Sequence, residues 1–378
     1  MKNQCFLHSK KPVEVYSEKL DLFNFGKTNL SFGLCSICGH IFQTTSVKKK
    51  EMENHYKKLS MYVDNLSKPS KDKIKSVQRH ISIVKNEFKI FPKKVLEVSS
   101  MNSFNLIQFK KKGSNKIFAL EPNVRVAKLL KKEGIKVFNK KIENFRSNLK
   151  FDLIILSHVL EHLFNPLLAL RRCFSAQEVG QKILIEVPLF EKVDNYDIGS
   201  MGLEHIHYFS EKNLNELITS AGYEIDFVSK IFKSTEFPFI TIVASKQKNV
   251  RIEKANNYKS NLENLNRYIK SSISHWKSIK NKIEKLPMDK PTYLFGAGPF
   301  TSQLLFYTMF KRKNLFGILD SSKIKQGGKL GALKILSPEN KNLKKNSTII
   351  ISSASCQGHI YNSIKHFKKY GHKLVKLF

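Results

Sequence analysis

A chain of 378 residues, 41% of them hydrophobic, is long enough for two or three compact domains rather than one. Its formal charge of +35 would invite nucleic acid, but the lysines are spread over every segment and no RNA- or DNA-reading motif accompanies them, so nucleic acid is not an expected partner. No apolar run reaches the roughly 18 residues that span a bilayer, and the amino terminus lacks a signal-type apolar core, which predicts a cytoplasmic protein without membrane insertion.

Three of the five cysteines crowd the first forty residues, a usage that suits a metal site in a reducing compartment better than a disulfide framework. Cys5 and His8 form one pair at x2 spacing, and Cys35 and Cys38 form another. Each pair can make one knuckle of a tetrahedral zinc site, and Gly39 eases the sharp turn of the second. Four protein ligands would close the coordination sphere, so the Zn2+ would be structural. His40 stands as an alternative fourth ligand, and free thiols as the alternative to a metal. The lysine-rich stretch 51–65 predicts a connecting helix.

Residues 74–88 carry apolar side chains at helical spacing. Residues 94–98 (KVLEV) predict a first strand, 99–103 a loop, and Phe104 the start of a helix. A second strand at 116–120 ends on Glu121, Pro122 and Asn123, and a helix follows over 124–132. Further strands at 135–138, 151–156 and 182–187 give an alternation that predicts a parallel, doubly wound sheet. Residues 223–232 and 237–245 predict a terminal antiparallel hairpin. The fourth strand opens the stretch FDLIILSHVLEHLFNP, whose apolar run breaks into Ser157, His158, Glu161 and His162 at the carboxyl end, where such sheets bind ligands. The plain alternative is a core strand followed by two ordinary histidines.

VLEVSSMNS, ALEPN and FDLIILSHVLEHL together resemble the first, second and fourth strand motifs of the class I methyltransferases that use S-adenosylmethionine. The closer resemblance is to the three-domain sugar C-methyltransferases. It implies a central doubly wound, mostly parallel seven-stranded sheet flanked by a small zinc-binding amino-terminal domain and a second, Rossmann-like carboxyl-terminal domain. The corresponding divisions are 1–62, 63–248, a helical connector at 249–288, and 289–378. It also implies that Glu97, Ser99, Met101, Asn102, Glu121, Pro122, Ser157 and His158 line the cofactor site, with Ser157 and His158 facing the sulfonium and the methyl group. Independently, a carboxylate at the tip of the second strand, about twenty residues beyond Glu97, is placed to accept both hydroxyls of a ribose, or to sit at the positive end of the following helix. The first loop departs from the family pattern. Ser99, Met101 and Ser103 stand where relatives have small flexible residues, so no position there takes φ > 0 without cost.

Residues 202–210 (GLEHIHYFS) follow the fifth strand, and Ser210 suits the N-cap of a helix over 211–221. The stretch resembles the glutamate-histidine-x-x-tyrosine-phenylalanine-serine segment of the sugar C-methyltransferases. That resemblance makes His205 the general base, with Glu204 orienting it or binding a substrate hydroxyl. Imidazole suits the role because its ordinary pKa lies near neutrality. His162 and Tyr208 are candidate substrate contacts. A structural turn, or a metal site using Glu204, His205 and His207, is the alternative.

Residues 251–286 predict one or two joining helices. A second α/β unit then begins with a strand at 291–295, the loop Gly296-Ala297-Gly298 and a helix over 301–310. A Gly-x-Gly between strand and helix can cradle an anion or nucleotide, which marks Gly296 and Gly298 as substrate contacts. In the relatives a nucleotide sugar sits between the central and terminal domains. Cys173 and Cys356 are expected to pack rather than react. The resulting reading is methylation, at carbon or oxygen, of a sugar or nucleotide sugar. A catalytically silent protein that keeps the fold for binding or assembly is the alternative.

Overall fold

The computed structural model describes residues 4–22, 26–45, 69, 71–100, 102–193, 201–202, 204–232, 238–287, 289–308, 315–323, 325–354 and 356–378. The predicted helix over 51–65 lies outside them.

The chain opens with three antiparallel strands, β1 (Pro12–Leu22), β2 (Gly26–Cys35) and β3 (Ile41–Gln43). The return between β2 and β3 passes through Gly39 at φ 71°. Its N–H donates to the Cys35 carbonyl at 2.8 Å. A left-handed residue is required there, and glycine supplies it without a Cβ penalty.

The central unit follows as α1 (Lys71–Glu87), β4 (Lys94–Val98), α2 (Phe104–Lys111), β5 (Lys116–Leu120), α3 (Val124–Lys132), β6 (Lys136–Phe138), β7 (Leu153–Ser157), α4 (Pro166–Ser175) and β8 (Lys182–Pro188). After β8 come β9 (His207–Tyr208), α5 (Glu211–Ser220), β10 (Tyr223–Ile231) and β11 (Phe239–Lys246). Seven of these strands form one sheet in the order β10-β11-β8-β7-β4-β5-β6, with β11 alone reversed. The order turns at β4 and β7, so the crevice beyond their carboxyl ends is the topological switch point where such sheets hold ligands.

Near-continuous apolar strands form because helices cover both faces. Leu96, Ile154, Leu156 and Ile183 face α4 and α5, whereas Val95, Ile117, Leu153 and Ile155 face α1, α2 and α3. Each such side chain, fully buried, contributes about 1.5–3 kcal/mol. Capping starts the helices where the sequence turns polar: Asn123 accepts from the Arg125 and Val126 N–H groups, and Asn165 accepts from Leu168 N–H with Pro166 in the first turn. Ser210 takes the N-cap position of α5, but its hydroxyl donates to Asn213 Oδ1 at 2.6 Å instead of accepting a backbone N–H.

One element crosses the expected boundary at residue 62. β9, from the segment after β8, pairs antiparallel with β3 and completes the first sheet in the order β1-β2-β3-β9. The amino-terminal and central units therefore share a sheet.

A single helix, α6 (Tyr258–Glu284), replaces the one or two expected over 251–286. Its Leu265 and Tyr268 pack on Phe32 and Tyr208, and its Trp276, Ile279 and Ile283 pack on the last unit. That unit comprises β12 (Thr292–Phe295), α7 (Pro299–Tyr307), β13 (Leu315–Leu319), β14 (Lys329–Leu330), β15 (Leu333–Leu336), β16 (Thr348–Ile351), α8 (Gln357–Ile364) and β17 (Lys373–Lys376). The sheet order is β14-β15-β13-β12-β16-β17, parallel apart from the β14–β15 hairpin. Cys173 is buried as expected, whereas Cys356 does not pack: it is exposed at the N-cap of α8. Among the described residues no helix is long and apolar enough to cross a membrane.

Candidate functional site

Four side chains converge at the amino-terminal knuckles. Single ligand atoms of Cys5, His8, Cys35 and Cys38 all lie within 4.8 Å of one another. His8 Nδ1 is 3.8 Å from both Cys5 Sγ and Cys35 Sγ, and Cys5 Sγ is 3.9 Å from Cys38 Sγ. On the far side of the ring, His8 Nε2 meets Glu216 Oε1 of α5 at 3.3 Å. An imidazole with one nitrogen toward thiols and the other on a carboxylate fits a structural zinc site. Hydrogen bonds from the Cys38 and Cys5 thiols hold Cys35 far below the usual thiol range, and Cys5 is pushed up to about 11 by its contact with Cys35.

His40 does not join this cluster. Its Nε2 lies 3.0 Å from His207 Nδ1, and His207 Nε2 lies 2.9 Å from the Leu163 carbonyl. The carbonyl accepts, so His207 carries its hydrogen on Nε2 and receives that of His40 on Nδ1. Burial depresses His207 to about 3. Among the described residues, Glu204, His205 and His207 are not gathered as a metal set.

At the carboxyl end of β4, Glu97 is buried and accepts from Ser100 Oγ and Asn105 Nδ2, each at 2.7 Å. The carboxylate braces the loop onto α2. Ser99 adopts φ 54°, the left-handed conformation that a glycine would supply, at a cost on the order of 1 kcal/mol. Its N–H donates to Leu120 O at 2.7 Å, which holds that conformation. Asn102 Oδ1 accepts from Phe104 N–H at 3.1 Å, and Ser103 is buried at the start of α2. Met101 lies outside the described residues. At the tip of β5, Glu121 Oε1 accepts from Asn123 N–H at 2.8 Å, and Pro122 follows it into α3. Burial raises Glu121 to about 7, against the pull of the Asn123 N–H and with help from Glu97. A carboxylate held at the switch point beside β4 fits a ribose diol, and a loop that reaches φ > 0 at Ser99 fits close passage of a cofactor.

At the end of β7 the side chains are titratable. Ser157 Oγ is 3.3 Å from Glu186 Oε1. His158, at φ 55°, stands between two carboxylates, with Nδ1 3.4 Å from Glu161 Oε1 and Nε2 3.5 Å from Glu186 Oε1. Burial alone would depress it, but the two carboxylates raise it to about 10. Glu186 is a hub that sequence reasoning missed. It also meets His80 Nε2 at 3.1 Å, Thr241 Oγ1 at 2.8 Å and the Arg79 guanidinium. Burial would raise it, but His80 and His158 hold it well below the usual carboxylate range. Its position inside the apolar run ILIEVP was the available signal, because a lone acid in a strand buried on both faces needs cations around it.

The segment after β8 reaches the same rim. Ile206 N–H donates to Glu161 O at 2.7 Å, His162 Nδ1 lies 2.9 Å from Glu204 O, and the His162 and His205 rings meet edge to face at 4.8 Å. The structure thus brings His205 to His162 and Glu161. Burial, then His162, depress His205 to about 4, with Glu161 and Glu204 offsetting part of the shift. Tyr208 is only 2% exposed, against Phe32 and Phe190, with its hydroxyl toward Gly202 O. It is core packing rather than a surface that a substrate could touch. In the last unit, Gly296 takes φ 112°, but Ala297 N–H already donates to Asp320 Oδ2 at 2.7 Å. That part of the expected cradle holds a carboxylate of its own.

The sheet order and the acids at its switch point fit a methyltransferase domain of class I, the type that uses S-adenosylmethionine. In agreement, residues 63–227 match the family model described as a methyltransferase domain. No curated protein matches the chain in sequence. Among solved structures, 1,6-didemethyltoxoflavin-N1-methyltransferase from Burkholderia thailandensis, with bound 1,6-didemethyltoxoflavin and S-adenosylhomocysteine, is similar at 12% identity over 58% of this chain and 96% of that one, TM-score 0.43. N-methyltransferase NodS from Bradyrhizobium japonicum WM9 with S-adenosylhomocysteine is similar at 11% identity over 52% and 100%, TM-score 0.42. A methyltransferase from Clostridium acetobutylicum is similar at 13% over 51% and 99%, TM-score 0.39.

Proposed function

We propose that the methyl acceptor is a sugar, carried as a nucleotide sugar and methylated at carbon or oxygen. The observation that carries this reading is the anchoring of the segment around Glu204 and His205 at the switch-point rim. It is tied there by Ile206 to Glu161 and by β9 to β3, next to the place where the donor's methyl group would lie. S-adenosylmethionine supplies an electrophilic methyl on a sulfonium. Glu121 would accept from its ribose hydroxyls, and the loop carrying Ser99 and Asn102 would border it, Met101 of that loop lying outside the described residues. Ser157 and His158 border the reacting end. Glu204 and His205 would take the acceptor's proton as the acceptor atom bonds to the methyl carbon and the carbon–sulfur electron pair stays on sulfur. Burial keeps His205 neutral, which leaves a nitrogen able to receive a proton.

Zn2+ held by Cys5, His8, Cys35 and Cys38 would close the knuckles onto α5 through Glu216. On this reading the chain divides into a zinc-binding unit 1–62, the core 63–248, the connector 249–288 and a Rossmann-like unit 289–378, with the nucleotide toward Gly296 and Gly298. The test is formation of S-adenosylhomocysteine from S-adenosylmethionine with a panel of nucleotide sugars. Turnover with at least one member supports the reading. Turnover confined to amines, with none on any sugar, overturns it.

A further inference from the structure

Glu161 is 1% exposed, and among the described residues its carboxylate meets no donor closer than His158 Nδ1 at 3.4 Å. A buried acid is costly unless a cation compensates it, and the one imidazolium at hand, His158, raised to about 10, is divided between Glu161 and Glu186. Its neighbours are imidazoles. His158 turns Nδ1 to Oε1 at 3.4 Å and its other nitrogen, Nε2, to Glu186, while His162 Nε2 stands 3.9 Å from Oε1.

The orientation of His162 decides what the cluster is suited to hold. Its Nδ1 lies 2.9 Å from the Glu204 carbonyl, which can only accept, so Nδ1 carries the ring hydrogen. In the neutral ring, Nε2 then presents its lone pair on the side of the Glu161 carboxylate. A buried carboxylate and a half-buried imidazole nitrogen turned to the same place suit a positive charge between them. A ring that donates one N–H to a carbonyl and directs its other nitrogen at a carboxylate-bearing centre is the arrangement of a metal-bound histidine. His205 completes the set: single ligand atoms of Glu161, His162 and His205 all lie within 4.8 Å of one another. The Ile206 N–H on Glu161 O ties the two segments together at 2.7 Å.

We propose that Glu161, His162 and His205 bind a divalent first-row transition cation at the rim of the central sheet, distinct from the cysteine knuckles. Two imidazoles and one carboxylate leave coordination positions open, as in catalytic rather than structural sites. This deepens the functional reading and rests on it for the place of the acceptor. A sugar hydroxyl bound to the cation is more acidic than a free one. Its proton would pass to Glu204 alone, and His205, as a ligand, would give up the share in the base role assigned to it above.

The experiment is a Co2+ titration of the metal-stripped full chain, followed by absorption. Two equivalents are expected. One carries a thiolate-to-cobalt charge-transfer band, and the other shows only ligand-field bands. Glu161→Gln and His162→Ala should each weaken the second equivalent at least 100-fold and leave the thiolate band in place. A single equivalent in the wild type, or a second one retained in whichever variants stay folded by circular dichroism, overturns the proposal. Calorimetry with S-adenosylhomocysteine on the same samples separates the two claims. Loss of cofactor binding with two Co2+ bound refutes the methyl-transfer reading alone, and cofactor binding with one Co2+ bound refutes the cation site alone.

Discussion

His8 Nε2 lies 3.3 Å from Glu216 Oε1, joining the amino-terminal knuckle to α5 of the central unit. The Glu216 Oε2 atom accepts from Ala255 N–H at 3.2 Å, so the same carboxylate also holds the chain leading into α6. Glu216→Ala should therefore lower zinc affinity about 10–100-fold, the usual effect of removing a carboxylate behind a metal-bound histidine. Competition against a chromophoric chelator measures it. Affinity unchanged within twofold would separate Glu216 from the metal.

Gly39 supplies a second prediction at the same junction. A Cβ on it would lie 2.5 Å from the Tyr258 backbone nitrogen, and its φ is 71°. Its carbonyl also accepts from Asn261 Nδ2 at 2.9 Å. Gly39→Ala should destabilise the protein by roughly 1–3 kcal/mol, read from urea unfolding with intact metal.

On the proposed placement of the cofactor, Glu121 would link its binding to pH. Its pKa in the folded protein, about 7, lies above the ordinary carboxylate value of 4.5. The folded state therefore binds the proton more tightly than the unfolded one. The stability this group contributes is complete below about pH 4.5 and is lost as pH rises through 7. Glu121→Gln should stabilise the cofactor-free protein at pH 8 by up to roughly 3 kcal/mol, while S-adenosylhomocysteine binds less well. In the wild type, affinity should fall as pH drops from 8 to 6, because only the ionised carboxylate accepts from both ribose hydroxyls.

Ser99 tests whether the first loop is strained. Ser99→Gly should keep cofactor affinity and change stability by no more than about 1 kcal/mol, in the stabilising direction if the φ of 54° is the dominant effect. Ser99→Val should destabilise by more than that, since a β-branched side chain tolerates this region least. Equal stability of the two variants would show that the loop relaxes elsewhere.

Much of this architecture was legible in the chain. The apolar runs at 94–98, 116–120 and 182–187 could only be strands covered on both faces, and Asn123 announced the start of α3. The cysteine pairs at x2 spacing did meet, because a short ribbon returns Cys35 and Cys38 to the place where Cys5 and His8 begin. What could not be read depends on long-range pairing. Nothing local says that His207 and Tyr208 complete a sheet begun at Pro12, yet that pairing buries Tyr208 and turns His207 to His40. The gathering of Glu161, His162 and His205 likewise depends on a backbone hydrogen bond between segments far apart in sequence. At Ser99 the expected cost of φ > 0 without glycine is met rather than avoided, with the bond to Leu120 O helping to hold the turn.

The most direct test of the account is calorimetric titration of the full chain with S-adenosylhomocysteine at pH 8, wild type beside Glu121→Gln. One site per chain is expected, weakened at least tenfold by the substitution, which corresponds to about 1.4 kcal/mol. No binding to the wild type, or equal binding to both, would contradict the placement of the cofactor at the tips of β4 and β5.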